Sequence, residues 1–256
     1  MTQQQKSAST MREGLHDWLS RPPGKFLAEL EQARMNEILP DLFGYHLLQL
    51  GHLGQMDLLG QSRILHRSII DIDACDLSAP YPQIRAAAST LPVESDCVDV
   101  VILPHVLEFD PQRHETLRES FRVLVPEGHL LICGFNPRSL MGMTRIARRR
   151  RGLAPWHGHF LSVSRLKDWL ALLGFDVMQV TPCFINSSST NQRWLQRLDA
   201  FWRFGNRTAS VFSGAYVMVA RKRVTRMTAI KTRWRPERRL VGVGLAEPSA
   251  RVVDGD

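Results

Sequence analysis

The stretch Cys97–Leu103 (CVDVVIL) constrains the fold more than any other part of the chain. Its residues are apolar save Asp99 and do not alternate with polar ones. A strand with one wet face alternates, whereas an unbroken apolar run fits a strand covered on both faces, as parallel strands of α/β sheets are. The chain therefore has to supply helices on both sides of such a strand.

The rest of the sequence supplies them. Tyr45–Leu50, Ser68–Ile72 and Gln83–Ala86 read as strands before the apolar run, and Gly128–Phe135, Phe175–Val180 and Ala215–Ala220 as strands after it. Gly24–Leu39 has a helical apolar spacing stopped by Pro40, and Pro111–Leu124 presents Leu117, Phe121 and Leu124 on one face. Pro126-Glu127-Gly128 separates that helix from the next strand. Ser164–Leu173 is a helix capped by Ser162 or Ser164 and closed by Gly174. Strands alternating with helices specify an α/β fold with a mainly parallel sheet. A long, mostly helical connection is expected between the last two strands. Residues 1–20 read as a flexible N-terminus, 21–223 as the folded domain with an N-terminal lid helix, and 224–256 as a basic tail without periodicity, expected to be disordered.

Charge divides along the chain. The whole carries 33 Lys+Arg against 25 Asp+Glu, a net +8. Residues 41–137 hold six basic and thirteen acidic side chains, and residues 138–256 hold twenty-two and seven. The positive charge thus belongs to the second half. Cys75, Cys97, Cys133 and Cys183 lie far apart without a C-x-x-C pair, which suits neither a disulfide framework nor a zinc ribbon and fits a reducing, cytoplasmic setting. The start has no sustained apolar core of the kind a signal peptide needs, and no apolar run is long enough for a transmembrane segment.

Four pieces then occur in order: Leu91-Pro92-Val93 before Asp96-Cys97-Val98-Asp99, Leu107-Glu108 after that strand, L-R-E-S-F-R-V-L-V-P-E-G over residues 117–128, and a strand ending Phe135-Asn136-Pro137. Together they resemble the central third of class I S-adenosylmethionine-dependent methyltransferases, in the form of the type-11 methyltransferase domain. R-L-K-D-W-L-A-L-L-G-F-D-V over residues 165–177 is similar to that family's last helix and sixth strand. Gly44-Tyr45-His46-Leu47-Leu48 and Gly134-Phe135-Asn136-Pro137 resemble the bacterial YafS-like proteins in particular. The resemblance, covering roughly residues 45 to 222, implies a Rossmann-like, doubly wound, mainly parallel seven-stranded sheet with an antiparallel last strand. It also implies S-adenosyl-L-methionine (SAM) as cofactor, held above the strand carboxyl ends, where open α/β sheets bind ligands. Methyl transfer from a sulfonium is an in-line displacement that proximity and orientation can drive, so no acid–base dyad is obligatory.

Carried onto this sequence, the family's cofactor positions are Gly51, His52, Leu53 and Gly54 after the first strand, Asp71 or Asp73 after the second, Ser89, Thr90 and Leu91 before the fourth, and His105 after it. Several depart from the family pattern. Gln49 stands where an acid is usual, and Leu53 and Gln55 replace glycines. Ala87 stands where an acid near the adenine is expected. A left-handed backbone at a non-glycine residue costs about 1–2 kcal/mol, so Leu53 is expected in another conformation. Two functions follow: a methyltransferase of unknown acceptor, or a non-catalytic protein on the same fold that binds an anionic partner.

Other residues carry competing readings. His105 is either a cofactor or substrate contact or a histidine bonded at a strand end. Glu108 is a general base or a solvated, helix-capping residue, and Cys183 after Pro182 is a nucleophile or a buried thiol. His157 and His159 are a weak metal signal or a solvated loop. Arg138, Arg145, Arg148–Arg151, Arg193, Arg197, Arg203 and Arg207 fall in segments expected at the carboxyl-end rim, with Trp194, Phe201, Trp202 and Phe204 among them. They suit nucleic acid or an anionic lipid surface, or a core stripe with solvated arginines outside. The tail, with Arg226, Lys231, Arg233, Trp234, Arg235, Arg238 and Arg239, adds phosphate affinity or solubility and is expected to leave from the opposite end.

Overall fold

Val98–Pro104 is a strand with every residue buried except Asp99. In the computed structural model, which describes residues 12–22, 24–53, 56–72, 80–139, 158–183 and 213–223, this strand is β4 at the centre of the sheet. Around it lie β1 (His46–Leu50), β2 (His66–Asp71), β3 (Gln83–Arg85), β5 (Leu124–Phe135), β6 (Phe175–Cys183) and β7 (Ala215–Lys222). Their order is β3-β2-β1-β4-β5-β7-β6. The first five strands are parallel to their neighbours, and β7 runs antiparallel to both β5 and β6. This is the doubly wound sheet that the resemblance implies.

Alternation along the central strands sends side chains into two separate cores. Val100, Ile102, Leu131, Cys133, Phe135, Val217 and Val219 face one, and Val101, Leu103, Leu130, Ile132, Tyr216 and Met218 face the other. The first face is covered by α1 (residues 12–19), α2 (Gly24–Ile38) and the 3-10 turn Leu39–Asp41. The second is covered by α3 (Val106–Phe109), α4 (Arg113–Val123) and α5 (Val163–Leu173), through Val106, Leu107, Leu117, Val123, Leu166 and Leu170. Each such leucine contributes about 1.5–3 kcal/mol of transfer free energy.

Asp99, the polar interruption of β4, has a structural task. Its Oδ2 accepts hydrogen bonds from the backbone amides of Tyr45 (2.8 Å) and His46 (2.9 Å) and so fixes the start of β1. Gly44 makes this approach feasible, because a Cβ there would stand 2.3 Å from the Asp99 side chain. Ser162 proves to be the cap of α5, its Oγ accepting from the Arg165 amide, and Gly174 closes that helix at φ +95°.

Three local expectations change. Residues 12–19 are helical, with Leu15 and Leu19 buried against the first core, where the sequence reads as a flexible end. Two apolar side chains on two helical turns suffice to dock it. β5 begins at Leu124 rather than Gly128: the ladder passes from Val98/Leu124 to Val100/His129 through an irregularity that takes up Pro126-Glu127-Gly128, with Glu127 at φ +64°. Val106–Phe109 forms a short helix that the sequence reading leaves out. The connection expected to be helical between β6 and β7 lies, over 184–212, outside the described residues, as does the tail from residue 224.

Candidate functional site

The carboxyl end of β1 runs into Gly51, whose φ of +83° strongly favours glycine. A Cβ at this position would also approach Val106 Cγ2 to 2.9 Å. The Gly51 amide donates to Ile70 O (2.7 Å), and its carbonyl accepts from the buried Gln49 Nε2 (2.8 Å). Gln49 therefore does what an ionised acid at that place cannot, since a carboxylate has no hydrogen to donate to a carbonyl. Leu53 avoids a positive φ and turns inward, packing in the first core beside Leu15 and Leu58.

Asp71 ends β2 beside this turn. Its Oδ2 accepts from the His52 amide (2.7 Å), and its Oδ1 accepts from Arg12 Nη1 (2.7 Å) and the Ile72 amide (2.6 Å). The Asp71 and Arg12 side chains are each 12% exposed. The next turn of α1 adds His16, whose Nε2 donates to His52 O at 2.6 Å. Burial holds the His16 pKa below its usual value, with the Arg12 and His52 charges acting in the same direction and the His52 carbonyl and Asp71 opposing. Arg12 Nε is buried with no partner among the described residues. Of the positions carried from the family, Gly51, His52 and Asp71 are thus brought to one point, while Gly54 and Asp73 lie outside the described residues.

Ser89–Leu91 form the approach to β4 and are bound to α4. Ser89 Oγ donates to Gln112 Oε1 (2.8 Å), the Thr90 amide to Ala87 O (3.1 Å), and the Leu91 amide to Glu119 Oε2 (2.9 Å). Arg122 spans the same clamp, donating to Leu91 O and to Glu119, and its hydrogen bonds are the main cause that lowers the Glu119 pKa.

His105 follows β4 in the left-handed region (φ 52°, ψ 23°), a strain of about 1–2 kcal/mol for a residue with a Cβ. The ring is fully buried. Its Nε2 lies 2.9 Å from Glu31 Oε1 on α2, and its Nδ1 3.3 Å from Glu108 Oε1 on α3. Burial alone would depress its pKa, but the Glu31 charge and the hydrogen bonds from Glu108 and Glu31 outweigh burial and raise it to about 10. The imidazolium stacks on Phe135 at 4.2 Å between centroids, and Phe135 stacks in turn on Phe160 at 5.0 Å.

Glu108 is therefore not a solvated cap. It is buried, its Oε1 also accepts from the Phe135 amide (2.8 Å), and its Oε2 has no partner among the described residues. A buried cationic His105 has no lone pair to act as a base. Cys183 is a buried thiol facing the first core, and burial followed by the Glu31 charge raises the Cys133 pKa well above that of a reactive thiol. His159 is exposed, with its amide donating to Glu108 O (2.7 Å), and His157 lies outside the described residues. Among the described residues no three His, Cys, Asp or Glu side chains are grouped to hold a metal, and no helix is long and apolar enough to cross a membrane.

Sequence reasoning missed Arg12, His16 and Glu31. For Glu31 a signal exists: α2 buries Gly24, Leu27, Ala28, Glu31, Arg34 and Met35, a helical stripe in which two charged residues take apolar positions. Of the proposed arginine rim, Arg138 alone falls within the described residues.

Comparison with known proteins agrees with this fold. Residues 65–132 match the family described as a methyltransferase domain. YafS of Escherichia coli (strain K12), an uncharacterized protein, is 30% identical over 164 residues, which cover 64% of this chain and 66% of that protein, just under two thirds of its length. An S-adenosylmethionine-dependent methyltransferase from Thermotoga maritima superposes with a TM-score of 0.58 over 83% of this chain and 100% of its own, at 14% identity. Another from Archaeoglobus fulgidus gives 0.52 over 76% and 94%, at 21% identity.

Proposed function

From a chain with a methyltransferase-domain sequence match on a class I methyltransferase fold, we propose SAM-dependent methyl transfer at the carboxyl ends of β1, β2 and β4. The observation that carries the reading is the meeting of Gly51 and Asp71 through the His52 amide, 2.7 Å from Asp71 Oδ2. A tight left-handed turn beside a carboxylate is what a nucleoside requires: backbone approach at one edge and a hydrogen-bond acceptor for ribose hydroxyls at the other.

The residues present fit the ribose end of the cofactor. Asp71 would receive the ribose hydroxyls, Gly51 and His52 would border the methionine portion, and Ser89–Leu91 would border the base. Ala87 offers the base no polar side chain, so adenine binding would rest on backbone groups and on apolar contact with Leu91. When bound, the cofactor supplies an electrophilic sulfonium methyl group, which passes to a nucleophile of the acceptor with S-adenosylhomocysteine leaving. The chain's own share is positioning and exclusion of water. His105 stays protonated and fixes the end of β4 rather than taking a proton from the acceptor. Gly51, His52, Leu53, Asp71, Ser89, Thr90, Leu91 and His105 thus remain the proposed cofactor environment, with His105 acting through Val106, which touches the Gly51 turn.

Calorimetric titration of the full chain with SAM tests the reading. Saturable binding is expected, and Gly51→Leu should weaken it at least tenfold while the circular dichroism spectrum persists. A folded wild-type protein that takes up no cofactor at millimolar concentration sinks the proposal.

A further inference from the structure

Across the described residues half of the Lys and Arg side chains are paired with acids. Arg12, Arg21, Arg34, Arg118, Arg122, Arg221, Lys222 and Arg223 each meet a carboxylate. Arg63, Arg67 and Arg165 lie over aromatic rings. Lys25, Arg85, Arg113, Arg138 and Lys167 do neither among the described residues, and of these Arg138 and Lys167 line one cavity of about 420 Å³. Its volume falls within the range of small-molecule sites. Asp176, the acid on neighbouring β6, is already paired with Arg223 at 3.3 Å.

The cavity is built, not incidental. Arg138 is held at its wall by an Asn136 turn: Asn136 Oδ1 accepts from the Arg138 amide (3.1 Å), Ser139 Oγ donates to Asn136 O (2.8 Å), and the Asn136 amide donates to Gly214 O (3.0 Å). The Phe135-Asn136-Pro137 signature thereby acquires a purpose that the cofactor end does not use. Lys167 projects from the first turns of α5, whose Ser162 and Ser164 also line the space. Val163 of α5 and Val177, Met178 and Val180 of β6 add apolar lining, with Gln179 among them. Two like charges in one concavity repel unless an anion joins them, and apolar lining beside them adds affinity for a hydrocarbon body.

We infer that this cavity binds a phosphate monoester with an apolar body, its phosphate between Arg138 and Lys167 and its body against Val163, Val177 and Val180. The inference rests on the methyl-transfer reading only in taking this ligand to be the methyl acceptor; the binding itself is independent of the cofactor.

The test uses the full chain without SAM, titrated calorimetrically at low salt with phenyl phosphate and with inorganic phosphate. One molecule of phenyl phosphate is expected per chain, bound at least tenfold more tightly than inorganic phosphate. Arg138→Gln with Lys167→Gln should weaken phenyl phosphate at least tenfold. Lys25→Gln with Arg113→Gln, which removes the same charge elsewhere, should change it less than twofold. Equal losses in the two double variants, no loss in the first, or no saturable binding at millimolar phenyl phosphate would each overturn the inference. If phenyl phosphate binds and SAM does not, the methyl-transfer reading fails while this site stands; the reverse result removes this site and leaves that reading.

Discussion

The molecule keeps two clusters of charge at the carboxyl ends of β2 and β4, the strands that flank β1, and they are built on opposite plans. At the end of β2, Asp71 and Arg12 are each partly exposed, and Asp71 shares its oxygens among a guanidinium and two backbone amides. At the end of β4, His105, Glu31 and Glu108 are withdrawn from water altogether, on a backbone twisted into the left-handed region. The first arrangement can exchange a partner because water and a ligand reach it. The second cannot, since it is closed to water and removing His105 would leave two carboxylates bare in a low-dielectric interior. One cluster therefore suits binding, and the other suits holding α2 and the strand end in a single geometry.

The largest expected effect breaks the second cluster. Glu31→Ala should destabilise the fold by about 3–5 kcal/mol, as breaking a buried ion pair does, since the His105 Nε2–H loses its acceptor and only the longer Glu108 contact remains, measured by urea unfolding. A variant carrying Glu31→Leu, His105→Asn and Glu108→Gln should recover part of that loss, because no charge of the cluster remains buried and asparagine tolerates the left-handed region. A loss below 1 kcal/mol in the single variant would mean that the pair is not locked as described.

How far the sequence announced these clusters follows from the distance over which each is built. Runs of apolar residues identify β1, β4 and β7, and Ser162 and Gly174 mark the ends of α5, because such signals lie within a few residues of the element they specify. Asp71 is legible because it stands twenty residues beyond Gly51 and closes the second strand. The Glu31–His105 pair joins positions 74 residues apart, and no local pattern near His105 shows that a carboxylate from α2 will reach it. Arg12 escapes notice for a different reason: α1 is two turns long in a polar stretch, and only tertiary contact makes it a helix worth forming. At Pro126–Gly128 a real breaker signal is present, but the sheet absorbs it as an irregularity in β5 instead of ending the strand.

An intermediate effect comes from pH, where the two clusters should respond with opposite sign. His105 has its pKa raised to about 10 in the fold, from an unfolded value of about 6.5. The folded state therefore holds the extra proton between these values. The stabilisation is complete below about pH 6.5 and fades as pH rises through 10. His16 is lowered, so the unfolded chain takes up more protons as pH falls below about 6.5, and stability is lost on the acid side. His129, lowered mainly by burial, adds to the acid-side loss, and His16→Gln separates the two. Ring carbon and proton shifts in NMR titration should show His105 still protonated at pH 8 and His16 titrating below an unfolded histidine. A His105 that titrates near 6.5 would place both clusters in the same class and dissolve the contrast.

The smallest effect sharpens the contrast from the side of the exchangeable cluster. Arg12→Gln removes one charge-assisted hydrogen bond from Asp71 and leaves the His52 and Ile72 amides in place. Because Asp71 keeps both amide partners, stability should fall by about 1.5–3 kcal/mol, the range for a hydrogen bond to a charged group, short of the Glu31 variant. The same change frees an Asp71 lone pair that Arg12 otherwise occupies where ribose hydroxyls would bind. SAM should then bind more tightly, by a factor up to about ten, since every 1.4 kcal/mol of competition removed is tenfold in affinity. Calorimetry on the two proteins at matched salt measures this directly. Tighter binding identifies Arg12 as a competitor that the cofactor displaces. Weaker binding would identify it instead as a cationic contact of the bound cofactor, engaged through its buried Nε, and would make the β2 cluster a preformed site and not an exchangeable one.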